Sequence, residues 1–219
     1  NNSPDAVQAY FEALNEQKLS QKQRISLIRS EDRDGFPALY IAMQNNSPDG
    51  VEAYLNALNE QKLSPEQRVS LIRAESRDGL PALFIAMYNN SPDAVQAYLN
   101  ALKEEKDLTI EQRISLIRAE SRDGTPALYI AMQNNSPDGV EAYLNALNDQ
   151  KLSPEQRISL IRAENRDGTP ALLVAMYNNN PDCVQTYYDF LVNYNHLSED
   201  NLISLVRADW DGCRSEEHT

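Results

Sequence analysis

The sequence predicts an all-α protein, an elongated solenoid of three-helix repeats with no sheet. Three observations predict it. One phrase recurs along the chain at a nearly constant period, each copy carries helix start and stop signals, and no segment shows the sustained alternation typical of a strand. The composition is that of a folded chain, since 41% of the 219 residues are hydrophobic and 24% are charged.

A Pro-Asp dipeptide marks the period. Its aspartates lie 44, 44, 45 and 44 residues apart, at Asp5, Asp49, Asp93, Asp138 and Asp182. The longer step arises where KEEKDLTIEQ from Lys103 replaces NEQKLSPEQ from Asn59, so the extra residue should lie between two helices. We therefore divide residues 1–219 into one repeat domain with five units. These are residues 1–44, 45–88, 89–133, 134–177 and 178–219.

The first predicted helix of each unit, helix B, begins at a Pro-Asp motif, which a serine precedes in the first four units. In the second unit, Ser47 should supply an N-cap hydroxyl, Pro48 the first helical position, and Asp49 a negative charge in the first turn. An apolar stripe at i, i+3, i+4 and i+7 then predicts an amphipathic helix. The stripe consists of Val51, Tyr54, Leu55 and Leu58.

The second helix, helix C, begins at Ser64-Pro65, where Ser64 and Gln67 have capping-box spacing. It is expected to run through Ala74 and to stop at Arg77-Asp78-Gly79, because glycine adopts turn conformations without steric cost.

The third helix, helix A, is predicted from LPALFIAM at Leu80–Met87, which is apolar on every side and should be buried between neighbours. Asn89-Asn90 should end it, since asparagine tolerates the left-handed conformation.

A single unit cannot bury helix A and the stripe of helix B, whereas stacked neighbours can. The first unit begins at helix B, which suggests that the native chain continues upstream. The last unit changes character, and we expect Phe190, Tyr194 and Trp210 to close the core as a C-terminal cap or to dock a following segment.

The string DGTPALYIAM at Asp123–Met132, followed by Asn135, Val140, Tyr143 and Leu144, resembles the ankyrin repeat. Ala127 is an extra residue, and the usual histidine and turn glycine are replaced. The histidine position holds Tyr40, Phe84, Tyr129 or Leu173, and the glycine position holds Asn46, Asn90, Asn135 or Asn179. A helix such as LSPEQRISLIRAE replaces the β-hairpin finger and lengthens the period. This longer form looks like the ankyrin-like repeats of bacterial secreted effectors, which implies a module that recognises host proteins.

Charge limits the class of partner. The formal net charge of −13 argues against nucleic acid and anionic membranes and fits a basic protein surface, or simply a solvated acidic exterior. No apolar run approaches the roughly 20 residues that span a bilayer, and Asn1 begins no signal-peptide pattern, so the chain looks like an excised piece. Cys183 and Cys213 form no disulfide framework, which favours a reducing compartment.

Catalysis is not expected, and neither a cofactor nor a metal is predicted. His196 and His218 are the only histidines. The residues that come nearest to a catalytic triad are Cys183, His196 and Asp182. Cys183 is more simply interpreted as a small packed residue of helix B. The chain contains no phosphate-binding loop, dinucleotide fingerprint or EF-hand series.

Two of the positions at which arginine recurs in each unit can be interpreted. The Arg-Asp-Gly triplets, such as Arg77-Asp78-Gly79, are interpreted as a ladder of Arg–Asp pairs that braces adjacent turns. The helix C arginines are expected to pair with acids of neighbouring units. They are Arg24, Arg68, Arg113 and Arg157.

Recognition is expected where the units differ. One set of positions ends helix A and consists of Gln44, Tyr88, Gln133 and Tyr177. A second set lies in the turn before helix A and consists of Phe36, Leu80, Thr125 and Thr169. The tyrosines are interpreted either as contact residues for a protein partner or as packing at the edge of the helix layer. The competing function is a structural array that associates head to tail through its end faces.

Overall fold

The structure is a computed structural model that describes residues 4–193 and 199–206. Throughout this described part the regular secondary structure is helical, and the prediction of an all-α chain without a sheet is confirmed there; the one β-type contact is an isolated bridge between Glu31 and Pro37. Tyr194, His196, Trp210, Cys213 and His218 lie outside the described residues.

The helices follow the predicted order of B, C and A. The B helices are α1 (Pro4–Glu16), α4 (Pro48–Asn59), α7 (Pro92–Glu104), α10 (Pro137–Asn148) and α13 (Pro181–Asn193). The C helices are α2 (Gln21–Ile28), α5 (Pro65–Arg73), α8 (Ile110–Arg118), α11 (Pro154–Arg162) and α14 (Glu199–Val206). The A helices are α3 (Ala38–Gln44), α6 (Ala82–Tyr88), α9 (Ala127–Gln133) and α12 (Ala171–Tyr177).

Helices of one kind pack on one another in chain order. The A helices form one series, α3 to α12, and the B helices form a second, α1 to α13. The C helices make the same neighbour contacts from α5 to α14, and each helix A also packs on the helix B that follows it. Units that are adjacent in sequence are therefore adjacent in space, as in a helical repeat array.

The core lies between the A and B layers. The predicted stripe of α4, Val51, Tyr54, Leu55 and Leu58, is buried throughout. In α6 every residue from Ala82 to Met87 is buried, so that only the last residue of this helix is exposed. Packing between units therefore covers the all-round apolar helix that no single unit can bury.

Helix C begins as predicted and ends earlier than predicted. Ser64 and Gln67 form a capping box with both hydrogen bonds present. The helix ends at Arg73, because Ala74 adopts a left-handed conformation with φ 43°, and Ala119 and Ala163 repeat this. The expected extension through Ala74 to Arg77-Asp78-Gly79 is therefore wrong. The Ala74 methyl group is buried, which offsets part of the cost of this conformation.

Two other local predictions have different outcomes. The extra residue of the third unit does lie between helices, in the connection from α7 to α8. Ser47 does not cap α4 with its side chain, and Ser91 and Ser136 likewise make no cap hydrogen bond to α7 and α10. For α7 and α10 a side chain of the preceding unit supplies the cap, as described below.

Candidate interaction surface and the contacts between units

The last residues of the A helices form one line, which we call the helix A row. It consists of Gln44, Tyr88, Gln133 and Tyr177. Because the A helices pack in series, these residues occupy the same edge of successive units. Tyr88 is 50% exposed and Tyr177 is 88% exposed, and neither hydroxyl makes a hydrogen bond within the described residues. Gln133 is exposed and Gln44 is half-buried.

The backbone of the helix A row is fixed even though its side chains are exposed. The Gln44 carbonyl accepts a hydrogen bond from the Asn89 side chain at 3.4 Å, and the Tyr88 carbonyl accepts one from the Ser136 hydroxyl at 3.3 Å. The Gln133 carbonyl accepts one from Asn180 Nδ2 at 2.8 Å. These donors come directly after the next helix A in the series and satisfy carbonyls that a helix end leaves open. The row is therefore a set of solvent-facing side chains on a rigid edge.

The second predicted set does not join this row. Phe36, Leu80, Thr125 and Thr169 lie before the first turn of each helix A and are half-buried. Phe36 stacks on Tyr40 with ring centroids 4.9 Å apart, and the Thr125 amide donates to Ser121 Oγ at 3.2 Å. Since helix A spans about 10 Å, the two sets occupy opposite ends of it. The turn residues therefore make their contacts within their own unit.

The prediction that helix C arginines pair with acids of neighbouring units is confirmed for Arg68. It contacts Glu105 of the next unit at 3.3 Å, and both side chains are buried. Burial raises the pKa of Glu105, and the charge of Arg68 opposes this. The prediction is wrong for Arg24 and Arg113. Arg24 donates to Gln61 Oε1 at 3.1 Å, and Arg113 donates to the carbonyl of Glu105 at 2.5 Å.

The triplet arginines do reach the preceding unit, but a glutamate or a backbone carbonyl takes the place of the predicted aspartate. Arg77 pairs with Glu31 at 3.4 Å. Arg122 donates to the carbonyl of Arg77 at 2.8 Å, and Arg166 donates to that of Arg122 at 3.4 Å. Gly79 allows this arrangement, because a Cβ there would collide with the Arg122 side chain. Because glycine has no side chain, the arginine of one unit can reach the backbone of the unit before it.

Sequence reasoning missed the contact that replaces the serine caps. The left-handed Asn46 of one unit accepts a hydrogen bond from the Ala94 amide of the next helix B at 2.9 Å and donates to Asp93 at 3.1 Å. Asn90 repeats both bonds, with the Gly139 amide at 2.7 Å and with Asp138 at 3.0 Å. We call this contact the asparagine cap. The sequence signal for it is an asparagine at a position where glycine would be the simplest left-handed residue.

A second contact between units uses the tyrosine of helix B. Tyr98 donates to the carbonyl of Ile72 in the preceding helix C at 3.3 Å. Tyr143 and Tyr187 make the same bond to the carbonyls of Ile117 and Ile161 at 3.2 and 3.1 Å. Burial raises the pKa of all three hydroxyls, so they stay protonated and remain donors.

Cys183 is a packed residue, as expected. It is buried, its thiol donates to the carbonyl of Ala131 at 3.7 Å, and burial raises its pKa to about 11. A thiol with this pKa is a poor nucleophile near neutral pH. Within residues 4–193 and 199–206, no group of three or more His, Cys, Asp or Glu side chains is placed to hold a metal ion. None of the described helices has the length and apolarity needed to cross a membrane.

The fold and these contacts define an all-α protein built as an array of helical repeats. No protein family model matches the sequence. No curated protein matches it significantly.

Proposed function

We propose that the chain is a protein-binding module, an ankyrin-like solenoid that recognises a partner protein through the helix A row. The observation that carries the proposal is the exposure of Tyr88 and Tyr177. Tyr88 ends a helix whose other residues are all buried, and Tyr177 ends a helix in which Met176 is exposed as well. Other units place glutamine at this position, so the fold does not require an aromatic residue there. Exposed tyrosines on a rigid backbone offer a large contact area at low entropic cost.

The pairing of each helix A with the following helix B, repeated in layers, supports the ankyrin-like assignment. The long period, with helix C in place of the finger, supports the comparison with bacterial effectors, and a host protein is the partner class that we propose. The charge of −13 favours a partner with a basic surface. On this proposal the chain itself has no catalytic role, and its free buried thiol suits a reducing compartment.

The test exploits the chain's own variation. Tyr88→Gln/Tyr177→Gln converts the row to the residue that Gln44 and Gln133 already supply, so the fold should be retained. Tyr188→Gln removes a tyrosine that is about as exposed as Tyr88 but lies on helix B, outside the row, and serves as the matched control.

Partners captured from eukaryotic lysate by the unmodified chain would be identified, purified and titrated against all three proteins by calorimetry. The row variant should weaken binding at least about tenfold, as loss of two interface tyrosines does, while the control binds normally. Equal affinities for all three proteins would refute recognition through the helix A row.

A further inference from the structure

The edge that carries the helix A row also carries a line of exposed acids. Helices α7, α10 and α13 each begin there with an aspartate in the first turn, and we call these residues the aspartate row. It consists of Asp93, Asp138 and Asp182. Asn90 lies two residues after Tyr88 and donates to Asp138 at 3.0 Å, and Asn46 and Asn135 make the same bond to the other two aspartates. Each aspartate therefore lies beside the turn that follows one residue of the helix A row.

The A and B layers contain almost no positive charge to offset these acids. The described A and B helices hold one basic residue, Lys103, and it lies at the end of α7 remote from Asp93. The arginines lie in helix C and in the turn after it, where acids neutralise several of them, as Glu120 does for Arg118 at 3.3 Å. The negative potential of the protein is therefore concentrated on the A and B layers, where it attracts cationic partners.

The spacing of the aspartate row matches that of an extended chain. The B helices pack in series, and packed helices lie about 8–10 Å apart, so successive aspartates should be separated by about this distance. A polyproline II segment rises about 3.1 Å per residue and completes a turn in three residues. Side chains at every third position of such a segment therefore lie on one edge, about 9 Å apart.

The helix A row favours an extended partner over a helical one. All four of its residues end in a hydrogen-bond donor, a tyrosine hydroxyl or a glutamine amide, and the side chains of Tyr88 and Gln133 are exposed. The carbonyls of a polyproline II segment have no internal partner and can accept such bonds, whereas those inside a helix are already bonded. The ring of Tyr88 also suits proline, because proline-rich segments dock on aromatic surfaces.

We propose that this edge binds an extended, proline-rich segment of a partner protein that carries Lys or Arg at every third position. Each cation faces one member of the aspartate row, a proline packs on Tyr88, and the donors of the helix A row bind backbone carbonyls of the segment. The inference rests on the proposed function, since it specifies the partner that the helix A row recognises.

Two synthetic peptides of identical composition test the spacing. The first repeats Lys-Pro-Pro, so that all its lysines lie on one edge of the polyproline II helix. The second repeats Lys-Pro-Lys-Pro-Pro-Pro, so that its lysines are divided between two edges while its charge and proline content are unchanged. Fluorescence anisotropy at low salt measures both affinities for the whole chain. The first peptide should bind at least about tenfold more tightly, and added salt should reduce this preference by screening the charges.

Two variants of the chain test the surface. The first removes the charges of the aspartate row and keeps an acceptor for each asparagine, and it is Asp93→Asn/Asp138→Asn/Asp182→Asn. The control removes as many exposed charges from the same position, the second residue, of α5, α8 and α11. It is Glu66→Gln/Glu111→Gln/Glu155→Gln. The aspartate variant should bind the Lys-Pro-Pro peptide about tenfold more weakly and lose the preference for it, while the control variant keeps both.

Three results would overturn the inference. They are equal affinity of the unmodified chain for the two peptides, no binding of the Lys-Pro-Pro peptide, and an aspartate variant that binds this peptide as well as the control variant does. None of them would refute the proposed function, because the tyrosine variant decides that separately with the partner captured from lysate. A tyrosine variant that loses this partner, together with peptides that bind alike, would leave recognition through the helix A row standing and remove only the inference about the partner.

Discussion

Replacing Asn90 with glycine should destabilise the protein although glycine is the preferred residue for the backbone at that position. Asn90 has φ 54°, which glycine adopts without steric cost. The substitution deletes the asparagine cap on α10, namely the bond from the Gly139 amide at 2.7 Å and the bond to Asp138 at 3.0 Å. The experiment thus separates the cap from the backbone conformation.

The magnitude follows from the two bonds. Loss of an N-cap side chain costs about 1 kcal/mol, and the bond to the Asp138 carboxylate adds about 1 kcal/mol. The relief of left-handed strain and the greater freedom of glycine in the unfolded chain are of similar size and opposite sign. We therefore expect Asn90→Gly to lower the free energy of unfolding by about 1–2 kcal/mol. Asn90→Ala should lower it by about 1–2 kcal/mol more, since alanine pays the left-handed cost.

The last unit provides a matched control. Asn179 has nearly the same conformation, with φ 56°, but no described helix B follows for it to cap. Asn179→Gly should therefore change the free energy of unfolding by less than about 0.5 kcal/mol. Urea unfolding, followed by circular dichroism at low protein concentration, measures all three variants. If Asn90→Gly were as harmless as Asn179→Gly, the asparagines would serve only the backbone conformation and the cap would contribute nothing.

Three further substitutions test single contacts by urea unfolding. Gly79→Ala should cost about 1 kcal/mol more than Gly168→Ala, because both positions have positive φ but only the first would bring Cβ into a side chain of the next unit; equal costs would refute the clash. Tyr98→Phe should cost about 1 kcal/mol by leaving a buried carbonyl unpaired, and no loss would show that another donor replaces the hydroxyl. Glu105→Gln should change the pH dependence of the free energy of unfolding. Its raised pKa means that the folded state of the unmodified chain binds more protons above pH 4.5, so stability is lost as pH rises towards the folded pKa, and the variant should lack this loss; parallel profiles would contradict it.

Local signals predicted the helices well, because each signal acts within one turn. The pair Ser64 and Gln67 is sufficient to specify a capping box, and the stripe beginning at Val51 specifies a buried face. Both depend on residues that are close in sequence. The same reasoning failed at Ala74, where burial of a methyl group between units favours a conformation that alanine avoids on its own.

The contacts between units could not be derived in this way. Ser47 looks like an N-cap by every local criterion, yet its side chain does not cap α4, and α7 and α10 are capped by an asparagine one unit earlier. The partners Asn46 and Ala94 lie 48 residues apart, a separation that only the stacking of units explains. Likewise the triplets predict Arg–Asp pairs between adjacent turns, whereas Arg122 reaches a carbonyl beside a glycine that leaves room for its side chain.

The same contacts explain why the helix A row can vary without changing the fold. At Tyr88 and Gln133 a side chain that comes directly after the next helix A binds the backbone carbonyl, which is identical for every residue type, and the row side chain stays in solvent. The backbone carbonyl of each row residue thus contributes to stability, whereas its side chain determines the chemistry of the surface. An exchange such as Gln133→Tyr should therefore alter the free energy of unfolding by no more than about 0.5 kcal/mol. A surface whose side chains contribute so little to folding is free to be selected for binding, which is the physical basis for the proposal that the row recognises a partner.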